Sequence, residues 1–297
     1  MALTVRTPDG RDLEVLDGGP ADGLPLVFHF GTPQGAVPHP LLERAAAERG
    51  IRVISYSRPG YGASSPQPLA LSTATVADDA RDTARILDEL GVDQFLTMGW
   101  SGGGPRALAC AAVLPERCLA AACCVGIAPA ADFEGDLTDG MGEENIAEYA
   151  AVFRGPEALE RLLNEQAGVF GITAGEIAAS LGDLVPQVDK DALTGELAEH
   201  LAASFRAAGR QGIVGWRDDD LTHTRAWGFD LGAIRVPVAI WQGTDDRMVP
   251  LAHARWLAEH VRGARPHLVE HEGHLSLMHR LGDILDDLME LGGVSCS

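Results

Sequence analysis

The sequence predicts an α/β protein in which a mostly parallel sheet of eight strands carries helices on both faces and is interrupted by a helical insertion. Three observations predict this. Short apolar runs alternate with stretches of helical spacing over the first 131 residues. Between residues 132 and 227 helical stretches follow one another with no strand among them, and from "VPVAIWQG" onward the alternation resumes. The expected organisation is a core of residues 1–131 and 228–297 with a helical cap at 132–227.

The entrance to the sheet is antiparallel: "LTVR", a turn at Pro8-Asp9-Gly10, "DLEVLD", and, after Gly18-Gly19-Pro20, the buried run "PLVFHF". A helix from Leu41 to Arg49 and a strand from Ile51 to Ser55 follow. Thr75 to Leu90 is helical, with Val76, Ala80, Ala84, Leu87 and Leu90 on one face and Asp78, Asp82, Arg85 and Asp88 turned largely to water. A strand over Gln94–Trp100, a helix over Pro105–Val113 and a strand over Leu119–Ile127 complete the first part. The cap holds "EENIAEYAAVF", "PEALERLLNEQ" and "ALTGELAEHLAASFRAA"; after it come "VPVAIWQG", a helix over Pro250–Val261, the strand "PHLVE" and a helix from about Leu275 to Leu291.

Composition removes several functional classes. A net charge of −20 over 297 residues, with no cluster of Lys and Arg, speaks against nucleic acid as a partner. No apolar run reaches the roughly 18 residues of a membrane span, and the N-terminus lacks the cationic and apolar regions of a secretory leader. A cytoplasmic protein acting on a small molecule is the expectation; oligomeric state is not legible. Cys110, Cys118, Cys123, Cys124 and Cys296 form no CxxC pair, so neither zinc nor a disulfide framework is indicated. Four read as buried small side chains, and Cys296 as an exposed thiol.

The chemistry gathers at strand ends. In "GWSGGGPRA" Ser101 stands between glycines, immediately after one strand and before a helix. With 35 Gly and 11 Ser, a chance Gly-x-Ser-x-Gly is expected only about 0.15 times, and a strand-to-helix turn is where such a serine becomes an exposed nucleophile. Gly99 and Gly103 make room for the turn, and Gly102 offers a backbone N–H beside the hydroxyl. A serine needs a base and an orienting acid. Both types lie in later loops: "TDDRMVP" after one strand, "HEGHLSLMH" after the next. The "HEGH" cluster does not match the His-Glu-x-x-His spacing of zinc helices, and no metal or cofactor is expected.

Together "HFGTPQG", "SYSRPGYGASS", "GWSGGG", "GTDDRMVP" and "EGH" resemble the α/β hydrolases, in particular the lidded esterase, proline-iminopeptidase and epoxide-hydrolase group. The resemblance implies a catalytic set of Ser101, Asp246 and His274, in the order Ser, Asp, His. Its Gly-x-x-Asp-x-x-Val-Pro spacing selects Asp246 over Asp245, and its Gly-His placement selects His274 over His271 and His279. It implies oxyanion donors in the backbone N–H groups of Thr32 and Gly102, and a loop-bracing role for Arg58. A carboxylesterase-like serine hydrolase is the resulting expectation. Trp100, Met141, Tyr149 and Phe153 are the substrate-contact candidates, with Phe170 and Trp216 also from the cap. One alternative is an aminopeptidase in which Glu143 or Glu144 of "GMGEEN" holds a free amine. Another, of a different class, is a non-catalytic ligand-binding protein on the same fold.

Overall fold

A computed structural model describes residues 2–67 and 74–294. The reading of Cys296 as an exposed thiol lies outside the described residues. Eight strands form one sheet in the order β1-β2-β4-β3-β5-β6-β7-β8, comprising β1 Ala2–Arg6, β2 Asp12–Gly18, β3 Leu24–His29, β4 Ile51–Tyr56, β5 Phe95–Trp100, β6 Cys118–Cys124, β7 Val238–Gly243 and β8 Arg265–Val269. β2 pairs antiparallel with β1 and β4; every pairing from β4 to β8 is parallel.

The two-residue period of the strands sorts the core into two layers. On one side Leu96, Met98 and Trp100 of β5, with Leu26 and Phe28 of β3, pack against α1 (Pro40–Ala47) and the final helix α11 (Leu281–Leu291). On the other, Phe95, Val27, Ile54 and Tyr56 pack against α2 (Val76–Glu89), α3 (Gly104–Val113) and α10 (Leu251–His260). β5 and β7 are buried at every residue, which explains why they read as continuous apolar runs. α2 begins with a capping box in which the Thr75 backbone N–H donates to Asp78 at 2.8 Å.

Two expectations need correction. Asp82 is buried, because Arg11 reaches over from the β1–β2 turn and holds both carboxylate oxygens at 2.7 Å. The strand expected to run to Ile127 stops at Cys124, where Val125 takes a φ of +46° and leaves the sheet.

Between β6 and β7 the described residues contain helices and no strand: α4 (Glu143–Arg154), α5 (Pro156–Gln166), α6 (Ile177–Ser180), α7 (Gln187–Ala192), α8 (Gly195–Ala208) and α9 (Val214–His223), with short 3₁₀ turns. They do not share one hydrophobic centre. α4, α5 and α9 enclose Ala151, Val152, Leu159, Leu163 and Trp216, whereas Leu193, Leu197 and Leu201 of the α7–α8 stretch join the sheet's own core. Among the described residues no helix is long and apolar enough to cross a membrane.

The parallel register brings His29, Trp100, Cys124, Gly243 and Val269 to the same edge of the sheet. The loops that leave this carboxyl edge carry Thr32, Ser101, Asp246 and His274, in the place where open α/β sheets hold ligands.

Candidate active site

β5 ends at Trp100, and the chain turns into α3 through a single 3₁₀ turn, Ser101–Gly103. Ser101 has a φ of +55°, a conformation that costs a non-glycine residue roughly 1–3 kcal/mol. The turn is this tight because Gly99 and Gly103 lack side chains. A Cβ on Gly99 would collide with the Gly103 carbonyl, and one on Gly103 with the His29 carbonyl. Pro105 sits in the first turn of α3, where its missing N–H costs nothing.

The loop after β3 is braced from below. Arg58, buried, donates to the carbonyls of Phe30 at 2.5 Å and Gly31 at 2.9 Å, and Gln34 accepts the Gly31 N–H at 2.9 Å. Arg58 also binds Asp219 of α9 through Nη2 at 2.5 Å, and the Thr32 hydroxyl donates to the same carboxylate at 2.6 Å. Arg106 of α3 joins this group, donating to Asp219 at 2.8 Å, to Asp79 at 2.8 Å and to the Gly102 carbonyl at 2.7 Å. Two buried guanidiniums thus meet two buried carboxylates directly beneath Thr32 and Gly102. Burial opposes the Asp219 charge, but Arg58 and Arg106 outweigh it and hold the carboxyl well below its usual range. His223 lies against the Gly102 carbonyl at 3.1 Å; burial and the charge of Arg106 lower its pKa to about 3, so the ring is neutral.

Asp246 and His274 meet directly. Asp246 Oδ2 lies 2.8 Å from His274 Nδ1 and accepts from Gln242 at 2.8 Å, while Oδ1 accepts the backbone N–H groups of Met248 and Val249 at 2.8 and 2.9 Å. The buried carboxylate thus has hydrogen-bond partners on both oxygens. Burial works against protonation of His274, yet the charge and hydrogen bond of Asp246, with a further contribution from Asp189, raise its pKa above the ordinary value. Nδ1 is committed to Asp246, which leaves Nε2 as the nitrogen for proton transfer. Asp245 points outward, exposed.

Above the sheet edge lies a cavity of about 420 Å³. Thr32, Ser101 and Gly102 form its floor side, Met248 and Val249 come from the loop of Asp246, and Tyr149, Trp216 and Asp220 come from the helical segment. Among the described residues no hydrogen bond joins Ser101 Oγ to His274, and the cavity lining includes Ser101 but not His274.

The substrate-contact candidates divide. Tyr149 and Trp216 line the cavity. Trp100, Met141 and Phe153 do not: Trp100 belongs to the sheet layer under α11, Met141 packs with the layer beneath α10, and Phe153 is 64 % exposed on the outside of α4. Phe170 packs edge-on against Trp216, with ring centroids 5.8 Å apart. Glu143 and Glu144 of α4 are both exposed, and Glu144 borders the cavity while Glu143 does not.

Sequence reasoning passes over several residues that the structure brings to the site, among them Asp189, Arg106, Asp219, Asp220, His223 and Gln242. The one available signal is Asp218-Asp219-Asp220 within a helix, since three consecutive acids cannot all face water on a helix packed on one side.

The chain belongs to the α/β hydrolase fold family, whose model matches residues 25–163. It is similar to a non-heme chloroperoxidase from Streptomyces lividans, 31 % identical over 84 % of each chain, and to rhodomycin D methylesterase DauP from Streptomyces sp. (strain C5), 29 % identical over 86 % of each. Among solved structures, a thermophilic esterase from Thermogutta terrifontis superposes with a TM-score of 0.71 at 20 % identity, covering 98 % of this chain and 99 % of the other. A hydrolase from Pseudomonas aeruginosa PA01 gives 0.70 at 21 % identity, covering 99 % and 98 %. The protein is an enzyme of the α/β hydrolase class.

Proposed function

We propose that the protein is a serine hydrolase that cleaves ester-like bonds of a small molecule, with residues 132–227 as a cap over the site. The observation that carries this reading is Ser101, held at a φ of +55° at the end of β5 and lining a cavity together with Thr32 and Gly102. Neutral His274, oriented by Asp246, takes the Ser101 proton through Nε2 as Oγ bonds to the substrate carbonyl carbon. The carbonyl oxygen becomes an oxyanion facing the N–H groups of Thr32 and Gly102, each donor worth about 3 kcal/mol. His274 then returns the proton to the departing alcohol as the C–O bond breaks. Water, deprotonated by the same imidazole, releases the acid and restores Ser101. The sequence-based expectation of a cytoplasmic enzyme goes with this reading.

A second reading is favoured by the acids on the cavity wall. Glu144, Glu148 and Asp220 all line it, and together they suit a substrate with a free amine, as in an aminopeptidase. The test is a panel of p-nitrophenyl esters of increasing acyl length beside proline and alanine p-nitroanilides. Ester turnover that vanishes in Ser101→Ala supports the first reading; anilide turnover exceeding ester turnover supports the second; an unaffected Ser101→Ala enzyme contradicts both. The similarity to a chloroperoxidase adds one arm, hydrogen peroxide in place of water as acyl acceptor, which would release a peracid.

A further inference from the structure

Asp246 holds the imidazole of His274, but the backbone carrying that imidazole is held by a second acid from another part of the chain. Asp189 lies in α7, 85 residues upstream, and has no exposed surface. Its carboxylate accepts the backbone N–H groups of three successive residues: His274 at 2.8 Å through Oδ2, and Leu275 at 2.9 Å and Ser276 at 2.8 Å through Oδ1. Gly273 leaves space for it, since a Cβ there would collide with the carboxyl group.

The charge accounting makes this more than a turn staple. A fully buried carboxylate is expensive unless it is paired or well hydrogen-bonded. Among the described residues no Arg or Lys forms an ion pair with Asp189, so three charge-assisted N–H bonds from the His274 loop are its compensation. A neutral acceptor would tie down the same loop without burying a charge. The charge acts on His274, whose protonated form it favours alongside Asp246.

We propose that Asp189 is a positioning residue for His274: it clasps the 273–276 loop so that the ring faces Asp246, and its charge stabilises the imidazolium formed when His274 takes the Ser101 proton. The assignment rests on the serine-hydrolase reading. It makes the helical segment part of the catalytic machinery as well as a cover, because shifting α7 from the sheet edge would release the histidine loop.

The experiment uses Asp189→Asn and Asp189→Ser in the full-length protein, with Asp191→Asn, exposed on the same helix, as control. The asparagine keeps an acceptor for Leu275 and Ser276 but turns an amide donor toward the His274 N–H. Two readouts are taken: the NMR titration of the His274 ring, which requires no turnover, and the pH-dependent rate at which a fluorophosphonate modifies Ser101. Both variants are expected to titrate His274 at lower pH than wild type and to lose at least tenfold in labelling rate, with labelling extended to more acidic pH; Asp191→Asn matches wild type. A folded Asp189 variant with the wild-type titration, or a labelling rate within threefold, overturns the proposal. Should neither variant fold, hydrogen exchange in wild type decides, since the 274–276 amides must exchange among the slowest and loop-like exchange refutes the clasp. A wild-type protein that never labels at Ser101 brings down the hydrolase reading, and the NMR titration still reports on the clasp separately.

Discussion

The Asp246 carboxylate meets Nδ1 of His274 at 2.8 Å, with 0 % of the acid's side chain and 3 % of the histidine's open to solvent. Because the acid raises the histidine's pKa, and the base works only when neutral, ester turnover should rise with pH along a limb that lies above 6.5, the ordinary imidazole value. A kcat/KM profile measures it. Asp246→Asn should lower kcat by about 10³–10⁴-fold while moving that limb to lower pH; a limb unmoved in Asp246→Asn would assign it to another group.

Asp219 is the member of the buried network on which Thr32, Tyr61, Arg58 and Arg106 converge. Asp219→Asn leaves two guanidiniums partly uncompensated and should cost about 3–5 kcal/mol in denaturant unfolding. The sign with pH follows from a carboxyl held below its usual range. Its contribution is complete above the unfolded value of about 3.9 and fades as pH falls toward the depressed folded value. The gap between wild type and variant should therefore stay constant from pH 8 to pH 5 and close only in stronger acid.

Glu148 and Asp220 face each other on the cavity wall, and burial pushes both carboxyls up, Asp220 further through the charge of Glu148. Groups with raised folded pKa stabilise at low pH and lose that contribution as pH rises. Trp216 donates to Glu148 at 3.0 Å, whereas Asp220 Oδ2 has no donor among the described residues. Glu148→Gln supplies one. About 1 kcal/mol from a hydrogen bond is worth about 2–4 °C in a chain of this size. Thermal melts should show the variant gaining that much at pH 8 and little at pH 4; a variant less stable than wild type at pH 8 contradicts this.

The exposed and the lining aromatic of α4 should behave oppositely. Phe153→Ala should change neither kinetics nor stability by more than about 0.5 kcal/mol. Tyr149→Ala, which opens the cavity wall, should reorder the acyl-length preference and raise KM about tenfold for the ester favoured by wild type. Chain-length profiles of both variants distinguish the two positions.

What the sequence discloses of this molecule is what depends on local physics. Buried strands announce themselves as short apolar runs, and the elbow can be read because Gly99, Ser101, Gly103 and Pro105 lie within seven residues of one another. Asp246 and His274 are singled out among neighbouring acids and histidines only by the resemblance to the α/β hydrolases. The helical segment resists such reading, since its side chains are turned inward by partners far along the chain. Phe153 and Tyr149 share one helix, and only packing against α9 decides which of them meets the cavity. Asp82 reads as a solvent-facing acid until Arg11, 71 residues away, is placed over it. Asp189 is one acid among five in the 183–199 stretch until three backbone N–H groups from the histidine loop converge on it.

The central claim is that Ser101 is the nucleophile, and the most direct measurement is mass spectrometry of the protein after brief exposure to a fluorophosphonate. A single adduct on the peptide containing Ser101, absent in Ser101→Ala and slowed in His274→Ala, is the predicted result. Stoichiometric modification of another residue, or full ester turnover by Ser101→Ala, would contradict it.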